Sequence, residues 1–396
     1  MKERLQQIVA QNAKEILDIR RHLHANPELS FKEFETSKFV CSKLDEWGIS
    51  YKSGYVETGI VAHVEGKNPS SKVIAIRGDM DALPIMEANE VPYKSKNDGI
   101  MHACGHDVHT SCVLGVAKAL NELRDEFEGT LKIVFQPGEE RLPGGASLMI
   151  KEGALENPKP SSIVGQHVLP ELEVGKVGFR SGMYMASADE IHFTVKGKGG
   201  HAALPHDNID PVLITSHIIV ALQQVVSRRT KPGVPCVLSF GKVEANGATN
   251  VIPNQVQVAG TFRTMDEEWR MESHKIMKKM AEELAYSMGG SCDFRVDVGY
   301  PFVYNDGAVT EFARNAAEDY LGKENVVQLD MRMTGEDFSY YTQHMPGCFY
   351  RLGVGNMDKG ISSGLHTPTF NVDERCLEVG TGVMSYIALR QLSYSQ

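Results

Sequence analysis

Apolar positions recur at helical spacing near the N-terminus and again from about Val108 to Leu123, where Val108, Cys112, Val116, Ala119, Leu120 and Leu123 share one face. Short apolar runs at Ile60 to Val64, Val73 to Arg77, Leu131 to Phe135 and Ile163 to Val164 predict strands. Strands alternating with helices predict an α/β sheet with helices on its faces. Asp107 stands where an N-cap is wanted, so Cys104 and His106 are predicted to lie in the loop just before the second helix.

The pattern changes near residue 187. Ile191 to Lys196 reads as a strand, Pro211 to Ser227 as a helix, Val237 to Val243 and Val256 to Phe262 as strands, Glu267 to Met288 as a helix, and Cys292 to Val298 as a last strand. That order is ferredoxin-like and closes as a small domain of its own. The expected organisation is a discontinuous mixed-sheet α/β domain over residues 1–186 and 301–396, interrupted by an inserted ferredoxin-like α+β domain over 187–300. A length of 396 residues, beyond what one core usually fills, agrees with two domains.

Charge and cysteine usage narrow the partners. A net charge of -10 without a block of lysine or arginine argues against nucleic acid and anionic membranes. Seven cysteines, odd in number and irregular in spacing, do not form a disulfide framework and point to a reducing, cytoplasmic setting. The first ten residues lack the apolar run of a signal peptide, and no later run reaches the roughly 18 residues of a membrane span.

The candidate chemistry sits in four separated stretches: His102-Ala-Cys104-Gly-His106-Asp107, Gln136-Pro-Gly-Glu139-Glu140, Gly165-Gln-His167-Val168 and Gly364-Leu-His366-Thr367. A thiolate, imidazoles and a carboxylate are donors for zinc, manganese, cobalt or nickel rather than for calcium or magnesium. Cys104 and His106, two apart, face one side of an extended loop. The helix N-terminus that follows favours the thiolate. Phe135 ends a strand and His167 closely follows another, so both are predicted to arrive at the crevice outside the carboxyl ends of the sheet. Glu139 and Glu140 leave the backbone in different directions, so one can bind metal while its neighbour moves a proton.

Eight stretches along nearly the whole chain carry a family resemblance. They are Arg20-Arg-His-Leu-His-Ala-Asn-Pro-Glu-Leu, Arg77-Gly-Asp-Met-Asp-Ala-Leu-Pro84, His102 to Asp107, Gln136 to Glu140, Gly199-Gly-His-Ala-Ala-Leu-Pro-His206, Asn250-Val-Ile-Pro-Asn254, Gly335-Glu-Asp-Phe-Ser-Tyr340 and Gly364-Leu-His366. In these the sequence resembles the two-metal amidohydrolases of the aminoacylase and carboxypeptidase class, in the branch of hippurate hydrolases, N-acyl-amino-acid deacetylases and auxin-conjugate hydrolases. The resemblance implies two divalent transition-metal ions per subunit, zinc or manganese first and cobalt or nickel next. Cys104 would bridge them, His106 and His167 would complete one ion, and Glu140 and His366 the other. Glu139 would be the general acid/base, and Asp81 would orient the site from behind the ligands. His201 and Asn250 would stabilise the oxyanion and substrate, and Arg263 would meet a substrate carboxylate. The 187–300 insertion would be a lid and dimerisation domain on a catalytic domain. The implied substrate is a small N-acyl-amino acid, with dipeptides as the alternative.

The branch usually has alanine where Gly138 stands and leucine where Gln166 stands, departures that touch fine geometry more than the ligand set. Distant relatives place a metal-binding histidine where Asp79 stands, so Asp79 is left out of the ligands and His106 is expected to take that place. His63, His192 and His217 are read as ordinary surface or core residues. His22, His24, Glu28, His109 and His206 are read as structural hydrogen-bonding groups.

Overall fold

A computed structural model describes residues 1–393, and it divides into two compact units. Unit one is Met1–Tyr184, Tyr304–Met331 and Asp337–Gln396; unit two is Met185–Val303 and Arg332–Glu336.

Unit one opens with helices α1 (Lys2–Ala25) and α2 (Phe34–Glu46), followed by strands β1 (Ser50–Tyr55), β2 (Gly59–Glu65) and β3 (Val73–Asp79). Then come α3 (His106–Glu122), β4 (Thr130–Gln136), α4 (Gly145–Lys151), β5 (Ile163–Glu173), β6 (Val177–Phe179) and β7 (Gly182–Met185). Every residue of β3 and β4 is buried, as expected for strands covered on both faces. β3 pairs in parallel with β4 and with β5, so Asp79 and Gln136 end side by side and Gly165 lies opposite Arg77. The carboxyl ends of these strands therefore open on one rim.

Unit two runs β8 (Asp189–Lys196), β9 (Gly200–His201), α5 (Pro211–Gln224), β10 (Cys236–Glu244), β11 (Val251–Ile252), β12 (Gln255–Thr264), α6 (Glu267–Ser287) and β13 (Ser291–Asp297). Its four-stranded antiparallel sheet has the order β10-β12-β8-β13, the ferredoxin-like arrangement. Alternate residues of β8, among them Ile191, Phe193 and Val195, pack with Ile214, Ile218, Met277 and Ala281 of the two helices in a core of its own.

The chain returns through β14 (Val303–Asn305), α7 (Gly307–Leu321), β15 (Val326–Gln328), α8 (Ser339–His344), β16 (Gly347–Gly355) and α9 (Cys376–Ser393). β16 runs parallel to β5 and completes an eight-stranded mixed sheet of order β1-β2-β4-β3-β5-β16-β6-β15. The fold is a mixed-sheet α/β domain with an inserted ferredoxin-like domain. No described helix is long and apolar enough to cross a membrane.

Candidate metal centre

The side chains arrive from four loops, one strand and the first residue of a helix. Asp81 lies two residues beyond β3, Glu139 and Glu140 lie beyond β4, and His167 lies within β5 rather than after a strand end. His106 is the first residue of α3, not a loop residue, because Gly105 turns the chain at φ 81°. A Cβ at Gly105 would come within 2.5 Å of Val168, so the turn and the tight approach both require glycine. Asp107 does not cap that helix; its carboxylate instead accepts from Arg20 Nε and His24 Nδ1, each at 2.8 Å. His366 sits at φ 59°, a costly conformation for a non-glycine residue, and its N–H is held by Ala103 O at 2.9 Å.

The Cys104 sulfur lies 3.4 Å from His167 Nε2 and 3.4 Å from His366 Nε2. Glu140 Oε1 is 3.2 Å from His366 Nε2 and 3.9 Å from His106 Nε2. Among the groups of potential ligand atoms, Cys104–His106–His167 and Cys104–Glu140–His366 each have all atoms within 4.8 Å of one another and share one sulfur; His106 also groups with Glu139 and Glu140 and with Asp79 and His109.

Hydrogen bonding selects which ring nitrogens are free. His106 Nδ1 lies 3.2 Å from Asp81 Oδ1, and its Nε2 is buried without a hydrogen-bond partner, as is Glu140 Oε1. His167 Nδ1 donates to Val168 O at 2.8 Å, which turns the Nε2 lone pair toward Cys104. A histidine anchored through one nitrogen to a carboxylate or carbonyl, with the other left open, is the usual state of a metal ligand. His109 differs: Nδ1 meets Asp79 at 2.6 Å and Nε2 accepts from Val168 N at 2.9 Å, so neither nitrogen is left over. Asp79 also takes Arg77 Nη1 at 2.6 Å. The two orphaned atoms and the open imidazole nitrogens fit a pair of cations.

Charge agrees with that fit. Burial alone would lower His106, yet Asp79, Asp81 and Glu140 hold it up to about 10. Burial, with Glu140 and Glu139 beside it, pushes the Cys104 thiol well above its ordinary range. Burial and Arg351 push His167 well down, whereas the Glu140 carboxylate raises His366.

Glu139 is 7% exposed, and its Oε1 lies 3.4 Å from Asp337 N. The Asp337 carboxylate accepts from Arg77 Nη2 at 2.7 Å, Gln136 Nε2 at 2.8 Å and Ala146 N at 3.0 Å, fastening both sides of the loop that carries the glutamates. Ser30 donates to Asp81 Oδ2 at 2.6 Å, and Glu140 N donates to the same oxygen at 3.0 Å. Asp337 and Ser30 received no role from the sequence. Asp337 falls within the Gly335 to Tyr340 stretch, but that stretch does not say what it contacts: the partners of Asp337 and Ser30 lie 198 and 51 positions away.

The other three expected site residues belong to unit two. His201 is exposed on β9, paired with Val251, and its Nδ1 accepts from Ala203 N at 3.0 Å, which places its proton on Nε2. Asn250 lies alongside, its carbonyl accepting from Ala202 N at 3.0 Å. Arg263 on β12 donates to Met333 O at 3.3 Å and has no ion pair among the described residues; burial lowers its pKa.

The sequence profile of peptidase family M20/M25/M40 matches residues 75–390. The chain is 41% identical over 385 residues to IAA-amino acid hydrolase ILR1-like 4 of Arabidopsis thaliana, covering 95% of this chain and 86% of that one. It is 39% identical over 365 residues to the N-acetyl-L-cysteine deacetylase of Bacillus subtilis, covering 92% and 85%. Among solved structures it resembles the Bacillus subtilis YxeP protein, described as a dinuclear metal binding peptidase of the M20 family, with a TM-score of 0.84, 35% identity and coverage of 98% and 99%. With a profile match over most of its length and relatives this similar, the chain belongs to peptidase family M20/M25/M40.

Proposed function

We propose that the protein is a metal-dependent amidohydrolase that cleaves the amide of N-acyl-amino acids to a carboxylic acid and a free amino acid. The observation that carries this reading is the pair of three-residue groups sharing the Cys104 sulfur, with the Glu139 carboxylate on the adjacent residue. Cys104, His106 and His167 would hold one divalent ion, and Cys104, Glu140 and His366 the other. When bound, such ions supply Lewis acidity to the scissile carbonyl and acidify water from a pKa of about 15.7 toward about 7. Three protein donors per ion leave positions open, unlike the closed four-ligand sites that only staple a fold. Amide relatives such as the N-acetyl-L-cysteine deacetylase support the substrate class.

The chain's own groups then have distinct tasks. Glu139 takes the proton from the attacking water and returns it to the leaving nitrogen. Asp81 holds His106 in the tautomer that binds metal. His201, with its proton on Nε2, is a donor for the developing oxyanion, where one such donor is worth about 3 kcal/mol. Asn250 adds a neutral donor for substrate. Arg263, a cation without an ion pair among the described residues, suits the free carboxylate of an amino acid through a bidentate contact.

The ligand types favour zinc or manganese. Seven free cysteines favour a reducing cytoplasm. We assign the inserted domain as lid and dimerisation element; native mass measurement tests the dimer. The activity test is turnover on N-acetyl- and N-benzoyl-amino acids against dipeptides after reconstitution with each metal. Glu139→Gln should keep its metal and lose about 10²- to 10⁴-fold in kcat; near-normal turnover would remove Glu139 from the reaction.

A further inference from the structure

The turn carrying Glu139 and Glu140 is braced by a segment about a hundred residues upstream. Glu33 is fully buried. Its Oε1 accepts from Gly138 N at 2.8 Å and from Phe31 N at 2.9 Å, and its Oε2 accepts from the Thr58 hydroxyl at 2.8 Å. Gly138 has φ 60°, and a Cβ there would come within 2.4 Å of the Phe31 ring. The same segment contributes Ser30, whose bond to Asp81 continues to Glu140 N. Strand pairing cannot set this turn, because β4 ends at Gln136. Beyond that point the backbone path depends on what receives its N–H groups, and a buried side-chain oxygen is the acceptor at Gly138.

We infer that Glu33 is a positioning residue for amide hydrolysis: by accepting the Gly138 and Phe31 N–H groups, it sets the path of the chain into Glu139 and Glu140. The inference rests on the proposed roles of those two glutamates. What the turn requires is an acceptor oxygen, not a negative charge. Burial, together with Asp81, pushes the Glu33 carboxyl up to about 7, so the neutral form is already accessible. Glutamine at this position keeps Oε1 for both N–H groups and turns its amide to the Thr58 hydroxyl, which can accept. Alanine leaves the two N–H groups unpaired.

Glu33→Ala and Glu33→Gln in the full chain, loaded with metal, test this on an N-acyl-amino acid that the wild type hydrolyses. Expected is a loss of about 10²-fold in kcat for Glu33→Ala with KM within about threefold, as small displacements of reacting groups produce. Glu33→Gln should restore kcat to within about threefold of wild type. Hydrogen exchange of the peptide covering 137–145, measured without metal, should rise about tenfold in Glu33→Ala and stay near wild type in Glu33→Gln. If Glu33→Ala does not fold, Glu33→Asp, whose carboxyl is one methylene short, replaces it with the same expectations. Unchanged kcat in the shortened variant, or a glutamine variant as impaired as alanine, overturns the inference. If the wild type hydrolyses no N-acyl-amino acid while the exchange pattern appears, the proposed function falls and the brace on the turn stands.

Discussion

Gly105 separates two proposed ligands by the shortest possible spacer, and its single hydrogen decides where they point. With φ at 81° and a would-be Cβ 2.5 Å from Val168 Cγ2, an alanine there must either strain the backbone or push β5 away. Val168 follows His167, so either response moves a ligand group. Each strained residue of this kind costs about 1–3 kcal/mol. Gly105→Ala should therefore lose about that much stability in urea unfolding and retain less metal by elemental analysis. Full metal content in a folded Gly105→Ala protein would show that the turn does not fix Cys104 and His106. Their two-residue spacing predicts an extended loop with both side chains on one side. The left-handed turn achieves convergence by a different path, which the spacing of Cys104 and His106 does not encode.

One buried aspartate joins the sheet of unit two to its second helix. Asp189 on β8 accepts from Arg270 Nε at 2.8 Å and Nη2 at 2.6 Å, from His274 Nε2 at 2.9 Å and from Gly299 N at 3.0 Å. Burial would raise its pKa, yet bonds from Arg270 and His274 hold it below the ordinary carboxylate value. The folded value is depressed, so the stabilisation is complete above about 3.9, the unfolded value, and is lost as pH falls through the folded one. Asp189→Ala leaves the buried Arg270 with only Glu267 Oε2 and Gly299 O as acceptors and should cost about 3 kcal/mol at neutral pH, with the gap to wild type closing in acid. Urea titrations across pH check this, and a gap independent of pH would assign the loss to packing alone. The surrounding elements were legible because β8 alternates buried and exposed residues and α6 is amphipathic. Unit one was harder: β16 is buried at every position and bounded by glycines, and α9 is buried almost all round, so neither shows a clear period. His167 read as lying after a strand because Gln166 and His167 are polar; buried in β5, they bond to Tyr350 and Val168 instead.

The proposed ligands span Cys104 to His366, and all of them belong to unit one, which has its own core; unit two is built on another. The strand-end rule for α/β sheets brings the Gln136 to Glu140 and His167 stretches to one crevice, whereas the place of Cys104, His106 and His366 beside them is implied only by the family resemblance. The groups that hold them, Glu33, Ser30 and Asp337, were not legible, since their meaning lies in contacts made only after the sheet forms. A ligand that binds only the folded state stabilises it by about 2.7 kcal/mol at a hundredfold excess over its dissociation constant. For a unit this size that corresponds to roughly 5 °C in Tm. Calorimetry before and after chelation should therefore show the transition of unit one falling by roughly that amount while the transition of unit two stays in place, and hydrolysis should vanish before either unit melts. Equal shifts of both transitions would mean the ions act elsewhere, and an unmoved first transition with activity intact would separate the Cys104 cluster from the chemistry altogether.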